Sequence, residues 1–260
     1  MHAHPLRNKH HNVTGHAEAP TLLECLGEKF PEVLHKHNTP DECRTVCADG
    51  LLAHRLDFWT QGLIVCARSV PAWHNLRRAF SSKKQLGTEN ALVEKYYLAR
   101  LYGAEFSIMP ESPFEVLTPL DHHRKSRHKM EVLSTGQQSK TWIYPMAHSS
   151  YAVIRIFTGL QHQIRVVCQA LGRALHNDPV YLNKQPSIYI KKNIQIRLLN
   201  TDERMGFESV LEPALACIAA QNNGTPQTNP APSLQTDPID AYYLHAFALR
   251  LFRRWHFDTH

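Results

Sequence analysis

The stretch from Tyr151 to Gly172 constrains this chain most, because within it a strand passes directly into a short, well-bounded helix. Tyr151 to Phe157 is dense in β-branched and aromatic residues and reads as a strand. Thr158-Gly159-Leu160-Gln161 follows, and its Thr and Gln three apart resemble a capping box, which satisfies the first backbone donors of a helix. Ile164, Val167, Cys168 and Leu171 then form a buried stripe, and Gly172 is a natural stop. Beyond it, Leu175 to Tyr181 reads as a loop in which Asp178-Pro179 turns the chain.

Other elements announce themselves by period or punctuation. Leu22, Leu23 and Leu26 fall at helical spacing, ahead of a loop running to about Leu51. The apolar run Leu63 to Ala67, entered just after Gly62, predicts a buried strand. Ser69 and Pro71 start a helix with Trp73, Leu76 and Phe80 on one face and Arg77 and Arg78 opposite. Lys95 to Tyr102 alternates Lys95, Tyr97 and Ala99 against Tyr96, Leu98 and Arg100, as a strand does. Asp121 to Lys129, dense in His, Arg and Lys, predicts an exposed loop or hairpin tip able to touch phosphates. Leu244 to Phe252 reads as a final strand.

With 260 residues, 43% of them hydrophobic, the chain can bury one substantial core. The expected organisation is a main domain over residues 21–260, with a flexible Asn-, Gln-, Thr- and Pro-rich insertion at about 221–238. Residues 1–20, with five of the 18 histidines in the first sixteen positions, read as a flexible tail or a truncated start. A net charge of +6 favours polyanionic partners only modestly. Six scattered cysteines lack the paired spacing of a zinc ribbon, so no metal site is expected. No run approaches the roughly 20 apolar residues of a membrane span, and the N-terminus has no apolar signal core. The expectation is an intracellular protein with reduced thiols, its compartment (cytoplasm, nucleus or mitochondrion) left open.

The chemistry concentrates in His54-Arg55-Leu56-Asp57, followed by Thr60 and Gly62, where a carboxylate and a guanidinium sit on a loop anchored ahead of an apolar run. Taken alone, such a pair is more often a surface ion pair or a turn. As a block, however, His54-Arg55-Leu56-Asp57-x-x-Thr60-x-Gly62-Leu63 resembles the catalytic motif of the RluA-type RNA pseudouridine synthases. Lys95-x-Tyr97-x-Ala99, ending in Gly103, is similar to the family's second motif. Thr158-Gly159-x-x-His162-Gln163-Ile164-Arg165-Val166, with Leu171-Gly172 and Asp178-Pro179-x-Tyr181, resembles the third, and Leu244-His245-Ala246 the closing one.

The resemblance implies an α+β fold, the pseudouridine synthase catalytic fold, with a mixed, mostly antiparallel sheet flanked by helices around a central basic cleft. It implies isomerisation of uridine within structured RNA with no cofactor; a monomer with no membrane partner is the separate expectation. Asp57 is the implied catalytic carboxylate, as a nucleophile or as a base toward the ribose. Arg165 is the implied partner across the pocket, within ion-pair reach of about 4 Å, and Tyr97 the ring that stacks on the uracil. Arg55, which fills the space of a flipped nucleotide, and His54, Thr60, His162 and Gln163 are the implied RNA-binding or supporting positions. The chain departs from the pattern at Leu160, where Arg is usual, at Phe58, Trp59 and Gln61, and in having no Lys-Pro-x-Gly segment ahead of the first block. Phe30-Pro31 ahead of a long loop, with the insertion near 221–238, resembles the eukaryotic branch, so no appended N-terminal RNA-binding domain is expected. A second reading follows from these departures: an RNA-binding protein that keeps the fold without the reaction.

Overall fold

Backbone hydrogen bonds change partners on either side of Ile64. The Leu63 N–H donates to the Ala246 carbonyl at 2.8 Å, whereas the Val65 carbonyl accepts from the Ala53 N–H at 2.9 Å. The computed structural model describes residues 22–31, 51–57, 60–81, 93–102, 108–124, 126–147, 149–182, 193–222 and 244–251. It falls into two compact units, Met1–Phe58 with Ile64–Ser82 and Trp59–Leu63 with Lys83–His260. The residues read as a tail, 1–20, lie outside the described ones, as does most of the loop expected before Leu51.

In the first unit, α1 (Leu22–Lys29) and α2 (Val70–Ser81) form where the leucine spacing and the Ser69-Pro71 start place them. Ser69 Oγ accepts the Ala72 N–H at 3.3 Å, taking up one of the first-turn donors. Trp73 anchors a small core with Leu51 and Ala67, and its indole N–H donates to the Leu52 carbonyl at 3.1 Å. Arg77 and Arg78 are exposed, and the Arg77 guanidinium lies 5.2 Å over the Trp73 ring.

The buried strand expected over Leu63 to Ala67 does not form. Leu63 is 48% exposed, and only Cys66 pairs, as an isolated bridge to Leu52. The reason lies in its donors. The Leu63 N–H goes to the Ala246 carbonyl, the Val65 N–H to the His54 imidazole at 3.0 Å and the Ala67 N–H to the Leu51 carbonyl, so its donors scatter over three partners and form no continuous ladder.

Among its described residues the second unit has eight strands: β1 (Gln61–Gly62), β2 (Val93–Arg100), β3 (Phe114–His123), β4 (Ser126–Val132), β5 (Gln137–Pro145), β6 (Tyr151–Ile156), β7 (Gln195–Leu198) and β8 (Leu244–Leu251). Their order is β1-β8-β2-β6-β5-β3-β4, with β7 also pairing β3. All pairs are antiparallel except β1 with β8, so the sheet is mixed and mostly antiparallel, as expected. Asp121 to Arg124 and Ser126 to Lys129, from the basic stretch, lie at the end of the β3–β4 hairpin.

Two helices cover opposite faces of this sheet. Tyr96, Leu98, Trp142 and Val153 meet Phe207, Val210 and Ala214 of α4 (Thr201–Asn222). Strand alternation turns Lys95, Tyr97, Thr141, Ile143 and Ile154 to the other face, where α3 (Gln163–Ala170) packs through Val166 and Ala170 on Leu120, Met130 and Val132. The capping box expected from Thr158 and Gln161 is absent. His162 is the N-cap, in the left-handed region with φ 52°, and makes no side-chain cap bond. Thr158 Oγ1 donates instead to Gln163 Oε1 at 2.8 Å, because that amide sits where the turn closes on β5. α4 continues to Asn222, and residues 223–238, most of the insertion expected at about 221–238, lie outside the described ones.

Gly62 is required where it stands. Its φ is +117°, and a Cβ there would lie 2.2 Å from the Ala246 carbonyl oxygen. Gly206 is the opposite case, a helical glycine whose Cβ would meet nothing closer than 3.7 Å. Gly62→Ala is expected to lower unfolding free energy by about 2 kcal/mol or more. Gly206→Ala is expected to raise it by up to about 1 kcal/mol. Urea unfolding of the two variants checks both signs.

Candidate active site

Asp57 belongs to the first unit, half-buried at the end of the segment Leu51 to Asp57. That segment is fixed from within its own unit. The Ala67 N–H donates to the Leu51 carbonyl at 2.9 Å, and the His54 ring stacks on Phe80 at 4.4 Å with 16° between planes. With the bond from Val65, His54 is thereby a structural support of the loop that carries Asp57. Arg55 points into solvent. Thr60, in the second unit, has its hydroxyl buried without a hydrogen-bond partner among the described residues.

Tyr97 and Arg165 lie in the second unit and share the α3 side of the sheet. Tyr97 is buried in β2, paired with Ile154 of β6 and Ala246 of β8. The β2–β8 register slips between Tyr96 and Tyr97, skipping Phe247. A bulge of this kind bends the strand and re-aims the side chain at that point. Lys95, on the same side, runs beside the Thr158-Gly159 turn: a Cβ on Gly159 would stand 3.1 Å from its Nζ. Burial pushes the Lys95 ammonium below the usual lysine range.

Arg165 is the most constrained side chain of the unit. Its Nε and Nη2 donate to Asp178 Oδ2 and Oδ1, both at 2.8 Å, with the two side chains 3% and 0% exposed. Asp178 Oδ1 also accepts the Val180 and Tyr181 N–H groups at 2.9 and 3.0 Å, and the Arg165 guanidinium lies 5.0 Å over the Tyr181 ring. Asp178, expected only to turn the chain, is thus what aims Arg165. The signal was available: an arginine inside the apolar stripe of a short helix needs a buried carboxylate.

Gln163 is buried at the start of α3. Its Nε2 donates to Thr141 Oγ1 at 2.9 Å and to the Lys140 carbonyl at 3.2 Å, and its Oε1 accepts from Thr158 and from the Leu160 N–H. These bonds tie the turn before α3 to β5. His162 Nδ1 lies 3.0 Å from the Tyr181 hydroxyl. Burial, and then the Arg165 guanidinium, push the His162 imidazole down to about 4, so it is neutral near pH 7. Leu160, where the related pattern carries Arg, packs on the Leu120, Met130 and Val132 cluster.

The chain matches the family described as RNA pseudouridylate synthase over residues 8–170, and it belongs to that family. It is 25% identical over 184 residues to an uncharacterized RNA pseudouridine synthase of Helicobacter pylori, covering 67% of this chain and 53% of that one. It is 31% identical over 139 residues to the dual-specificity RNA pseudouridine synthase RluA of Vibrio cholerae, 52% of each chain. Human RNA pseudouridylate synthase domain containing 1 superposes with a TM-score of 0.47 at 20% identity, over 80% of this chain and 87% of that one. The chain spans about half the length of the curated relatives it matches.

Two measurements test this geometry. Asp178→Asn leaves a buried guanidinium short of its counter-charge and is expected to cost about 3–5 kcal/mol of unfolding free energy, read by urea titration. His162 binds its proton more weakly folded than unfolded, where an imidazole titrates near 6.5. Its contribution to stability is therefore fully present above that value and lost as pH falls through about 4. The difference in thermal midpoint between wild type and His162→Gln is expected to shrink over that interval, and a difference independent of pH contradicts the assignment.

Proposed function

We propose that this chain isomerises uridine to pseudouridine within structured RNA, with Asp57, Tyr97 and Arg165 as its reacting group. The observation that carries the reading is that Tyr97 and the Arg165 helix lie on one face of the sheet, in a chain of the pseudouridylate synthase family. The reaction breaks the C1′–N1 bond, turns the detached uracil and joins C5 to C1′. N1 gains a proton and C5 loses one, so atoms balance without a second substrate.

Each residue then has a task matched to its chemistry. Asp57 acts as a carboxylate toward the sugar or base, and a cation keeps such a group ionised and oriented. Arg165 supplies that cation, and its fork on Asp178 limits the directions in which the guanidinium can point. The Tyr97 ring offers a flat surface on which uracil can turn in its own plane without being released. Arg55, exposed beside Asp57, contacts the nucleotides around an extruded uridine. His162, Gln163, His54 and Thr60 serve recognition by holding the two loops in shape.

The test uses unmodified RNA with tritium at uridine C5, because forming the C5–C1′ bond releases that label to water. Wild type is expected to release tritium, and Asp57→Asn to reduce release by a factor on the order of a thousand or more, with circular dichroism unchanged. A folded wild-type protein that binds the RNA and releases nothing overturns the enzyme reading in favour of an RNA-binding protein of this fold.

A further inference from the structure

Lys95 is a charged group of the second unit to which no task has fallen so far. It stands in β2 two residues before Tyr97, and the pairing of β2 with β6 runs unbroken from Lys95 to Arg100, so both side chains leave the sheet on the α3 side. Ile156 of β6 lies beside Lys95, and Thr141 of β5 beside Ile156, in one row across the sheet. The turn from Thr158 to Leu160 is held against this row at both ends. Gln163, bonded to Thr141 through Nε2, accepts the Thr158 hydroxyl at 2.8 Å and the Leu160 N–H at 3.2 Å. The Lys95 ammonium approaches the same turn at Gly159.

A Cβ on Gly159 would stand 3.1 Å from Lys95 Nζ, and no other described atom outside the neighbouring residues lies within 4 Å of that position. Gly159 is not among the described glycines with positive φ, which are Gly62 and Gly172. What glycine provides here is therefore room for the ammonium. The cations on the neighbouring elements are committed. Arg155 is paired with Glu94, and Lys140 with Glu115, on the α4 side. Arg165 is forked on Asp178, and the His162 imidazole is neutral. Burial disfavours the Lys95 charge, so a negative charge that forms beside it, away from water, is held more strongly than by a solvated lysine.

C1′ is the electron-poor end of the C1′–N1 bond, so the electron pair of that bond leaves with N1, and the uracil departs as an anion whose charge spreads to O2 and O4. We propose that the Lys95 ammonium faces this detached uracil and stabilises its charge while the ring turns on Tyr97. Bonding of C5 to C1′ takes up that charge. C5 then loses its proton and N1 gains one, so the lysine ends as it began. A fixed cation aimed at charge that exists only once the bond is breaking lowers the barrier without tightening substrate binding. The inference rests on the enzyme reading above and deepens it by adding a cation that acts on the base.

The experiment measures tritium release from C5-labelled RNA by wild type, Lys95→Met, Gly159→Ala and the double variant. Lys95→Met is expected to lower kcat by a factor on the order of a hundred and to leave KM nearly unchanged. Gly159→Ala meets only the flexible end of Lys95, so it is expected to push the ammonium aside and lower kcat while keeping the thermal midpoint of wild type. The double variant is expected to be no slower than Lys95→Met, because Gly159 acts through the lysine. A second substrate isolates the charge. Fluorine at C5 withdraws electrons and eases departure of the uracil anion. Consumption of 5-fluorouridine in the same RNA, read by nuclease digestion and chromatography, is therefore expected to slow less in Lys95→Met than consumption of uridine. A rise in KM with kcat kept makes Lys95 an RNA contact and overturns the proposal, as do losses that multiply in the double variant or are equal for the two bases. Wild type that releases no tritium removes the enzyme reading and this proposal with it, whereas wild-type release matched by Lys95→Met removes the lysine alone.

Discussion

The buried fork between Arg165 and Asp178 is the interaction from which the order of the second unit's α3 side follows. A guanidinium placed in α3 between Ile164 and Val166 cannot reach water, since both side chains of the pair are almost wholly enclosed. Such a charge is tolerated only when its donors are matched. Asp178 matches them, and the same carboxylate takes the N–H groups of Val180 and Tyr181, which fixes the loop after α3. Tyr181 is then placed with its ring under the guanidinium and its hydroxyl between His162 and the Met130 backbone of β4. One ion pair therefore sets a helix, a loop and a strand in register. Its value lies in direction: a guanidinium bound by two parallel hydrogen bonds has few rotamers left.

A second set of constraints works through neutral groups. The Gln163 amide spends both of its ends on Thr141, Lys140, Thr158 and Leu160, holding the turn before α3 against β5 without any charge. Leu160 adds apolar contact to the same turn.

Much of this was legible in the residues, and the failures have physical causes. The strands β2 and β6 and the helices α2 and α3 were readable because each has a clean period and a punctuated end. The helix α4 escaped because Gly206 and Pro213 interrupt it, although Phe207, Val210, Ala214 and Ile218 form a helical stripe. Its start was also signalled. Asn200 Oδ1 accepts the Glu203 N–H while Glu203 Oε2 accepts the Asn200 N–H, both at 2.9 Å, a reciprocal cap readable from Asn and Glu three apart. Leu63 to Ala67 misled in the opposite direction, since apolar composition says nothing about whether a neighbouring strand is there to receive its donors. In the site, Tyr97 and Arg165 were identified by their resemblance to a known pattern. Asp178 was not, because its role depends on a contact thirteen residues away that no local period reports.

Backbone strain among the described residues falls in or beside the blocks that carry the family pattern. Among the described residues the non-glycine positions with positive φ are Leu51, His162 and Asn177, and each flanks or lies within a block that carries the family pattern. Leu51 precedes the His54 to Asp57 segment, His162 opens α3 ahead of Arg165, and Asn177 stands immediately before Asp178. The slip in the β2–β8 ladder falls at Tyr97. Residues in the left-handed region cost on the order of 1 kcal/mol or more each and persist only where surrounding contacts over-determine them. Here those contacts are identifiable: the Ala67 N–H on the Leu51 carbonyl, the His162 ring against the Tyr181 hydroxyl, and the Asp178 carboxylate saturated by four donors. A backbone turned into an uncommon conformation and locked there fixes the direction of the side chains that follow it more tightly than a relaxed one.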